Sequence, residues 1–125
     1  MKWIELNRVL AIHDEQIAEH GGPSGVGDIG LLESALARPQ HLAHYGKPDI
    51  ADLAACYAAG IAKNHAFNDG NKRTAAVVME LFLAKNGYSL NASDQGIVSA
   101  IRSIASGRIP EAELAEWIRQ YLAGR

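Results

Sequence analysis

The sequence predicts an all-α domain of about six helices, and three observations lead to this fold class. Apolar residues recur at helical spacing in most segments, no stretch alternates with a period of two, and capping or breaking residues divide the chain at short intervals. The 125 residues are 48% hydrophobic and 21% charged, a composition typical of a globular domain with a buried core. We expect residues 1–125 to form one domain.

The first two predicted helices are separated by a glycine-rich turn. The first runs over about residues 7–19, and residues 21–27, which contain four glycines and a proline, then break it. Asp28 can cap the second helix. That helix is predicted to stop before Pro39, because proline lacks an N–H and its ring clashes with the preceding turn. Residues 40–48 are predicted to form a loop.

The third and fourth helices are predicted to be central. The third begins at Asp49 or Asp52 and runs to about Asn64, with small residues on nearly every face. Such a surface is typical of a helix that its neighbours approach closely. The fourth covers residues 74–85, is apolar on most faces, and ends at Asn86-Gly87, a sequence that suits a left-handed helix stop.

The last two helices have clear start and stop signals. Ser93 can cap the fifth helix, and Gly107 ends it. Pro110 opens the sixth helix, which runs through Tyr121.

Composition and charge exclude several classes of protein. A formal net charge of -2 argues against non-specific nucleic-acid binding over the whole surface. Cys56 is the only cysteine, which rules out an intrachain disulfide. No apolar run reaches the roughly 18 residues that span a bilayer, and the N-terminus has no signal-peptide pattern. We expect a cytoplasmic protein with no membrane contact.

Residues 65–73, with the sequence HAFNDGNKR, form a polar cluster directly before the fourth helix. The start of a helix exposes unpaired backbone N–H groups and the positive end of the helix dipole. Gly70 allows the backbone to turn tightly there and to approach a ligand closely. The sequence therefore predicts a phosphate-binding site in this loop.

The side chains of this cluster suit phosphoryl or nucleotidyl transfer. The imidazole of His65 can accept a proton near neutral pH, and Asp69 offers the hard oxygen ligands that Mg²⁺ prefers. Asn71 can donate an amide hydrogen bond or fix the loop, and Lys72 and Arg73 can neutralise phosphate charge. Taken singly, each of these residues has an ordinary structural explanation. The constellation favours function because one short segment supplies every role.

The cluster resembles the Fic/Doc signature, H-x-F-x-D/E-G/A-N-G/K-R, and matches it at every specified position. Other segments resemble the Doc (death-on-curing) branch of that family. They are Ile12-His13-Asp14, Gly21-Gly22-Pro23, the segment from Gly30 to Gln40, and the segment from Phe82 to Gly87. The similarity covers nearly the whole chain and implies a single Fic/Doc (Fido) domain over residues 1–125, with the active-site loop between two central helices.

The resemblance implies an activity and a role for each signature residue. AMP-transferring members usually have glycine where this chain has Lys72, so the Doc activity is favoured, in which the γ-phosphate of ATP passes to a protein hydroxyl. His65 would activate that hydroxyl and Asp69 would hold Mg²⁺. Asn68, at the variable position, would orient the loop or touch substrate. The residues expected to bind nucleotide or phosphate are Asn68, Gly70, Asn71, Lys72 and Arg73.

The resemblance also implies the acceptor and the partners. Doc-like proteins phosphorylate a threonine of translation elongation factor Tu, which blocks translation, so the chain would be the toxin of a type II toxin–antitoxin pair. No serine or threonine begins the inhibitory motif S/T-x-x-x-E-G/N of many Fic proteins. Inhibition is therefore expected from a Phd-like antitoxin whose disordered tail folds on the toxin, with DNA contacted only through that antitoxin.

Two alternatives remain open from the sequence. The chain could be a Fic-type AMP-transferase, which differs in the part of ATP that reaches the protein. It could also be a catalytically silent module that keeps the fold and acts in transcription through its antitoxin. The intact His65 and Asp69 argue against the silent module, because a decayed copy should lose them first.

Overall fold

The computed structural model describes residues 1–124, which form six α-helices and one small sheet. The helices are α1 (Leu6–His20), α2 (Ile29–Tyr45), α3 (Ile50–Asn64), α4 (Asn71–Lys85), α5 (Asp94–Ala105) and α6 (Glu111–Tyr121). Strands β1 (Tyr88–Leu90) and β2 (Leu122–Gly124) pair antiparallel, with Ser89 opposite Ala123. The all-α prediction is confirmed. None of the helices within residues 1–124 has both the length and the hydropathy to cross a membrane.

Helix α3 lies at the centre of the bundle, as its small residues predict. Eleven of its fifteen residues are buried, and α2, α4, α5 and α6 all pack against it. A Cβ added at Gly60 would lie 3.2 Å from the Cβ of Ala35 on α2, so these two helices approach too closely for a larger side chain. This packing makes α3 a rigid base for the loop that follows it.

A capping box and an arginine fix the start of α3. The Asp49 carboxylate accepts a hydrogen bond from the Asp52 N–H at 2.9 Å, and the Asp52 carboxylate accepts one from the Asp49 N–H at 3.0 Å. Asp49 is therefore the N-cap and Asp52 the third helical residue. Arg119 of α6 donates to both carboxylates, from Nε to Asp49 at 2.8 Å and from Nη2 to Asp52 at 3.2 Å.

This ion pair predicts a pH-dependent contribution to stability. The hydrogen bonds from Arg119 lower the pKa of the Asp49 carboxyl from 3.8 to about 2. Because the pKa is lower in the folded chain, the stabilisation is present above about pH 4 and is lost as the pH falls toward the folded value. The pair is largely exposed and contributes about 0.5–1 kcal/mol. We expect Arg119→Met to lower the Tm by about 3 °C at neutral pH.

Thermal unfolding from neutral pH to strongly acidic pH checks this expectation. The difference in Tm between the natural chain and Arg119→Met should close as Asp49 is protonated. A difference that stayed constant over that range would show that Arg119 stabilises the fold by packing alone.

The predicted end of α2 is wrong, because the helix continues through Pro39 to Tyr45. Pro39 is buried and lies three residues after Leu36, on the same core-facing stripe. A proline inside a helix costs about 3 kcal/mol, and burial of this apolar face offsets that cost. Residues 40–45, predicted as loop, are therefore helical, and the helix ends where the Gly46 N–H donates to the carbonyl of Leu42.

Two smaller differences concern α4 and the strands. Helix α4 begins at Asn71, three residues earlier than Thr74, so the last three residues of the polar cluster belong to its first turn. The two strands were not predicted at all. Each has three residues, which is too short to show an alternating pattern, and their pairing joins segments far apart in the chain.

Candidate active site

The loop between α3 and α4 presents His65 to solvent. His65 is the C-cap of α3 and adopts a left-handed backbone conformation (φ 53°, ψ 41°), the one positive φ at a non-glycine position within residues 1–124. That conformation costs about 1 kcal/mol or more for a residue with a Cβ. The side chain is exposed, and neither ring nitrogen is hydrogen-bonded to the described part of the chain. Both nitrogens are therefore accessible to a substrate.

The first turn of α4 forms the candidate anion site, since it leaves backbone N–H groups unpaired within the helix. Gly70 is its N-cap (φ 77°) and provides no capping side chain, and the first helical hydrogen bond runs from the Thr74 N–H to the Gly70 carbonyl at 3.0 Å. The N–H groups of Asn71, Lys72 and Arg73 thus have no partner in residues 1–124. They converge at the positive end of the helix dipole, where a phosphate is stabilised.

Asn71 locks the loop in place. Its Oδ1 accepts a hydrogen bond from the Phe67 N–H at 3.0 Å, and its Nδ2 donates to the Phe67 carbonyl at 3.0 Å. Phe67 is buried, with 3% of its surface exposed, and anchors the loop in the core. The Asn71 amide is therefore engaged inside the loop, and its contact with phosphate stays a prediction.

Asp69 provides one exposed carboxylate beside the anion site. Its Oδ1 accepts a hydrogen bond from the Gly70 N–H at 2.8 Å, and its Oδ2 lies 4.0 Å from Nη2 of Arg73. Within residues 1–124 no group of three or more acidic, histidine or cysteine side chains could hold a metal. A single carboxylate suits Mg²⁺ bound jointly with phosphate oxygens and water, which is how this ion is commonly held.

Arg73 and Lys72 place positive charge next to the exposed N–H groups. Arg73 donates from Nη2 to the Gly21 carbonyl at 3.4 Å, and its buried Nε has no hydrogen-bond partner in the described residues. A buried donor without a partner is costly. The rest of the Arg73 side chain is partly accessible, with 36% of its surface exposed. Lys72 is exposed. These donors fit the phosphates of a nucleotide.

The turn between α1 and α2 pairs with the active-site loop. Asn68 donates from Nδ2 to the Ser24 carbonyl at 3.0 Å and from its backbone N–H to the Gly25 carbonyl at 3.3 Å. Val26 forms an isolated antiparallel bridge with Phe67. Asn68 therefore ties the loop to this turn, which was predicted as a helix break and as a segment resembling Doc proteins, but not as a partner of the loop. Its predicted role in nucleotide binding stays a prediction.

His13 of α1 also contacts the loop, and the sequence analysis assigned it no role. It is 1% exposed, its Nε2 lies 2.7 Å from the Asp69 carbonyl oxygen, and its ring stacks on Phe67 at a centroid distance of 3.7 Å. One signal in the sequence could have pointed to it. His13 is a polar residue next to Ile12 on the stripe of α1 that faces the core.

The comparisons with known proteins agree with this geometry. The model of the Fic/DOC family matches residues 3–83. The chain is 32% identical over 121 residues to the protein kinase Doc of Escherichia phage P1, covering 96% of this chain and 95% of that protein. It is 47% identical over 75 residues to the toxin Doc of Mycolicibacterium smegmatis, covering 58% of this chain and 57% of that protein. The chain therefore belongs to the Fic/DOC family.

Proposed function

We propose that this protein is a toxin that transfers the γ-phosphate of ATP to a hydroxyl group of another protein. One observation carries the proposal: the loop anchored between α3 and α4 carries the exposed imidazole of His65 and the carboxylate of Asp69, and it leads directly into the free N–H groups of α4. The names of the two relatives, a protein kinase Doc and a toxin Doc, support the same activity and role.

In the proposed reaction, His65 acts as the general base. Its imidazole takes the proton of the acceptor hydroxyl as the oxygen attacks the γ-phosphorus. The bond between that phosphorus and the oxygen bridging to the β-phosphate breaks, and ADP leaves with the electron pair. Asp69 would hold Mg²⁺ jointly with phosphate oxygens and water, and the bound ion would supply positive charge there. The exposure of His65 suits a base that must reach a protein substrate.

The remaining residues of the loop provide electrostatic stabilisation. The N–H groups of Asn71, Lys72 and Arg73 point at one site and need no reorganisation when charge builds up on the phosphoryl group. The guanidinium of Arg73, whose side chain is 36% exposed, adds positive charge in the same turn. Asn71 and Phe67 keep this arrangement rigid, since the amide of one bonds both backbone groups of the other.

The similarity to Doc proteins supports a proposal for the acceptor and the partners of this protein. We propose a threonine of translation elongation factor Tu as the acceptor, so that phosphorylation blocks translation in the cytoplasm. We also propose that a Phd-like antitoxin inhibits the toxin by folding onto it, and that DNA is contacted only through this antitoxin.

Labelled ATP tests the proposed activity. The purified protein, Mg²⁺ and a bacterial lysate are incubated in parallel with ATP labelled at the γ- or the α-phosphate. We expect one protein band of elongation-factor size labelled only from γ-labelled ATP, and no band with the His65→Ala variant. Label from α-labelled ATP would identify an AMP-transferase instead. No label from either ATP would favour the silent binding module.

Lys72 is expected to set the orientation of the nucleotide. Its exposed side chain stands in the first turn of α4, where it adds bulk and positive charge at the anion site. Lys72→Gly should open space there, so that the variant gains AMP transfer from α-labelled ATP and loses part of its γ-transfer. Lys72→Met is the matched control, because it keeps most of the bulk without the charge. Unchanged chemistry in Lys72→Gly would contradict the steric explanation.

A further inference from the structure

We propose that His13 is a positioning residue for the metal ligand Asp69, acting through one peptide group. The proposal rests on the proposed function, in which Asp69 holds Mg²⁺. His13 lies 56 residues before Asp69, outside the signature, and is one of the few buried polar residues within residues 1–124. We infer that its hydrogen bond fixes the direction of the Asp69 carboxylate.

The hydrogen bond identifies the protonated nitrogen of His13. Nε2 lies 2.7 Å from the carbonyl oxygen of Asp69. Because a carbonyl oxygen can only accept, Nε2 must carry a hydrogen and donate it. The ring plane is set independently, since the imidazole stacks on the Phe67 ring at an interplanar angle of 7°. His13 is therefore held as a donor aimed at the active-site loop.

The peptide group between Asp69 and Gly70 connects this donor to the carboxylate. Its carbonyl oxygen accepts the bond from His13, while its N–H, on Gly70, donates to Oδ1 of Asp69 at 2.8 Å. The peptide group is planar, so a rotation that broke one of these bonds would misdirect the other. His13 thus orients the Asp69 carboxylate without touching it.

The same peptide group lies directly before the candidate anion site at the start of α4. Gly70 is the N-cap of α4, directly before the three free N–H groups. A Cβ added at Gly70 would lie 3.5 Å from Nε2 of His13 and 3.3 Å from Cδ1 of Ile17, so α1 is in close contact with this turn. We expect the loss of the donor to affect the metal more than the nucleotide, because the N–H groups remain fixed by helix α4.

Two variants separate the donor from the ring. His13→Phe keeps an aromatic ring that can stack on Phe67 but has no donor, whereas His13→Gln keeps an N–H donor without the ring. The readout is the affinity for the β,γ-imido analogue of ATP, measured by calorimetry with Mg²⁺ and again with a chelator. The affinity with Mg²⁺ divided by the affinity with the chelator reports the contribution of the metal. A general disturbance of the fold would lower both affinities and leave this ratio unchanged.

We expect His13→Phe to lower this ratio by about 10-fold or more, the usual effect of losing a residue that orients a metal ligand, and His13→Gln to restore most of it. The proposal is overturned if His13→Phe has the same affinity ratio as the natural chain, or if the ratio falls equally in both variants. If thermal unfolding shows that His13→Phe does not fold, His13→Gln decides. A ratio in His13→Gln equal to that of the natural chain then supports the proposal, and a lower ratio overturns it.

The calorimetry also separates this proposal from the proposed function. If the natural chain shows the metal contribution but transfers no phosphate to elongation factor Tu, the proposed transfer to that protein is refuted. The variants still test His13 in that case. A natural chain without any metal contribution would overturn the role of His13, whatever its transfer activity.

Discussion

Removing the imidazole of His65 is expected to lower the rate of phosphate transfer by about 10²- to 10⁴-fold, the usual contribution of a general base. His65→Asn is the better variant for this measurement, because asparagine tolerates the left-handed conformation at this position and its amide is not basic. The fold should be unaffected, since the His65 side chain is exposed and makes no hydrogen bond within residues 1–124. Initial rates with γ-labelled ATP measure the effect.

His41→Ala is the matched control for this variant. His41 is exposed on α2, outside the loop that forms the site, and its removal should leave the rate of transfer unchanged. A His65→Asn variant that is folded and as active as the natural chain would exclude His65 as the base. Another group of the site or of the substrate would then have to accept the proton.

Gly22→Ala is expected to reduce transfer by about 10- to 100-fold by displacing the Asp69 carboxylate. A Cβ at Gly22 would overlap Oδ2 of Asp69. Because the carboxylate must move away, we expect the Mg²⁺ concentration that gives half the maximal rate to rise. Gly22 also has a positive φ of 110°, so alanine adds backbone strain as well as the overlap.

Gly21→Ala separates these two effects. Gly21 has a similarly positive φ of 80°, but a Cβ there would meet nothing within 4 Å. Both variants therefore carry backbone strain, and only Gly22→Ala acts on the carboxylate. Equal Mg²⁺ requirements in the two variants would show that strain in the turn, rather than the position of Asp69, limits the activity.

The sequence contained most of the information needed for the helices. Local signals marked their ends, such as Ser93, whose hydroxyl accepts a hydrogen bond from the Gly96 N–H in the structure. Pro39 misled the prediction because its cost is local, whereas the packing that offsets it involves a neighbouring helix. The pairing of Leu90 with Leu122 likewise depends on contacts that no local pattern reveals.

Some residues of the candidate site could be predicted from the local sequence, and others could not. Residues 65–73 are contiguous, so their chemistry and their place at the start of a helix could be predicted together. His13 and Gly22 reach Asp69 only because α1 packs against α4 and the following turn folds back over the loop. Contacts between segments about 50 residues apart depend on tertiary packing, which local patterns in a sequence do not reveal.

The most direct test of the central claim is the intact mass of purified elongation factor Tu after incubation with the protein, ATP and Mg²⁺. We predict the addition of the mass of one phosphoryl group, and no addition with His65→Asn. The addition of an AMP group, or an unchanged mass under conditions in which the protein binds ATP, would contradict the account.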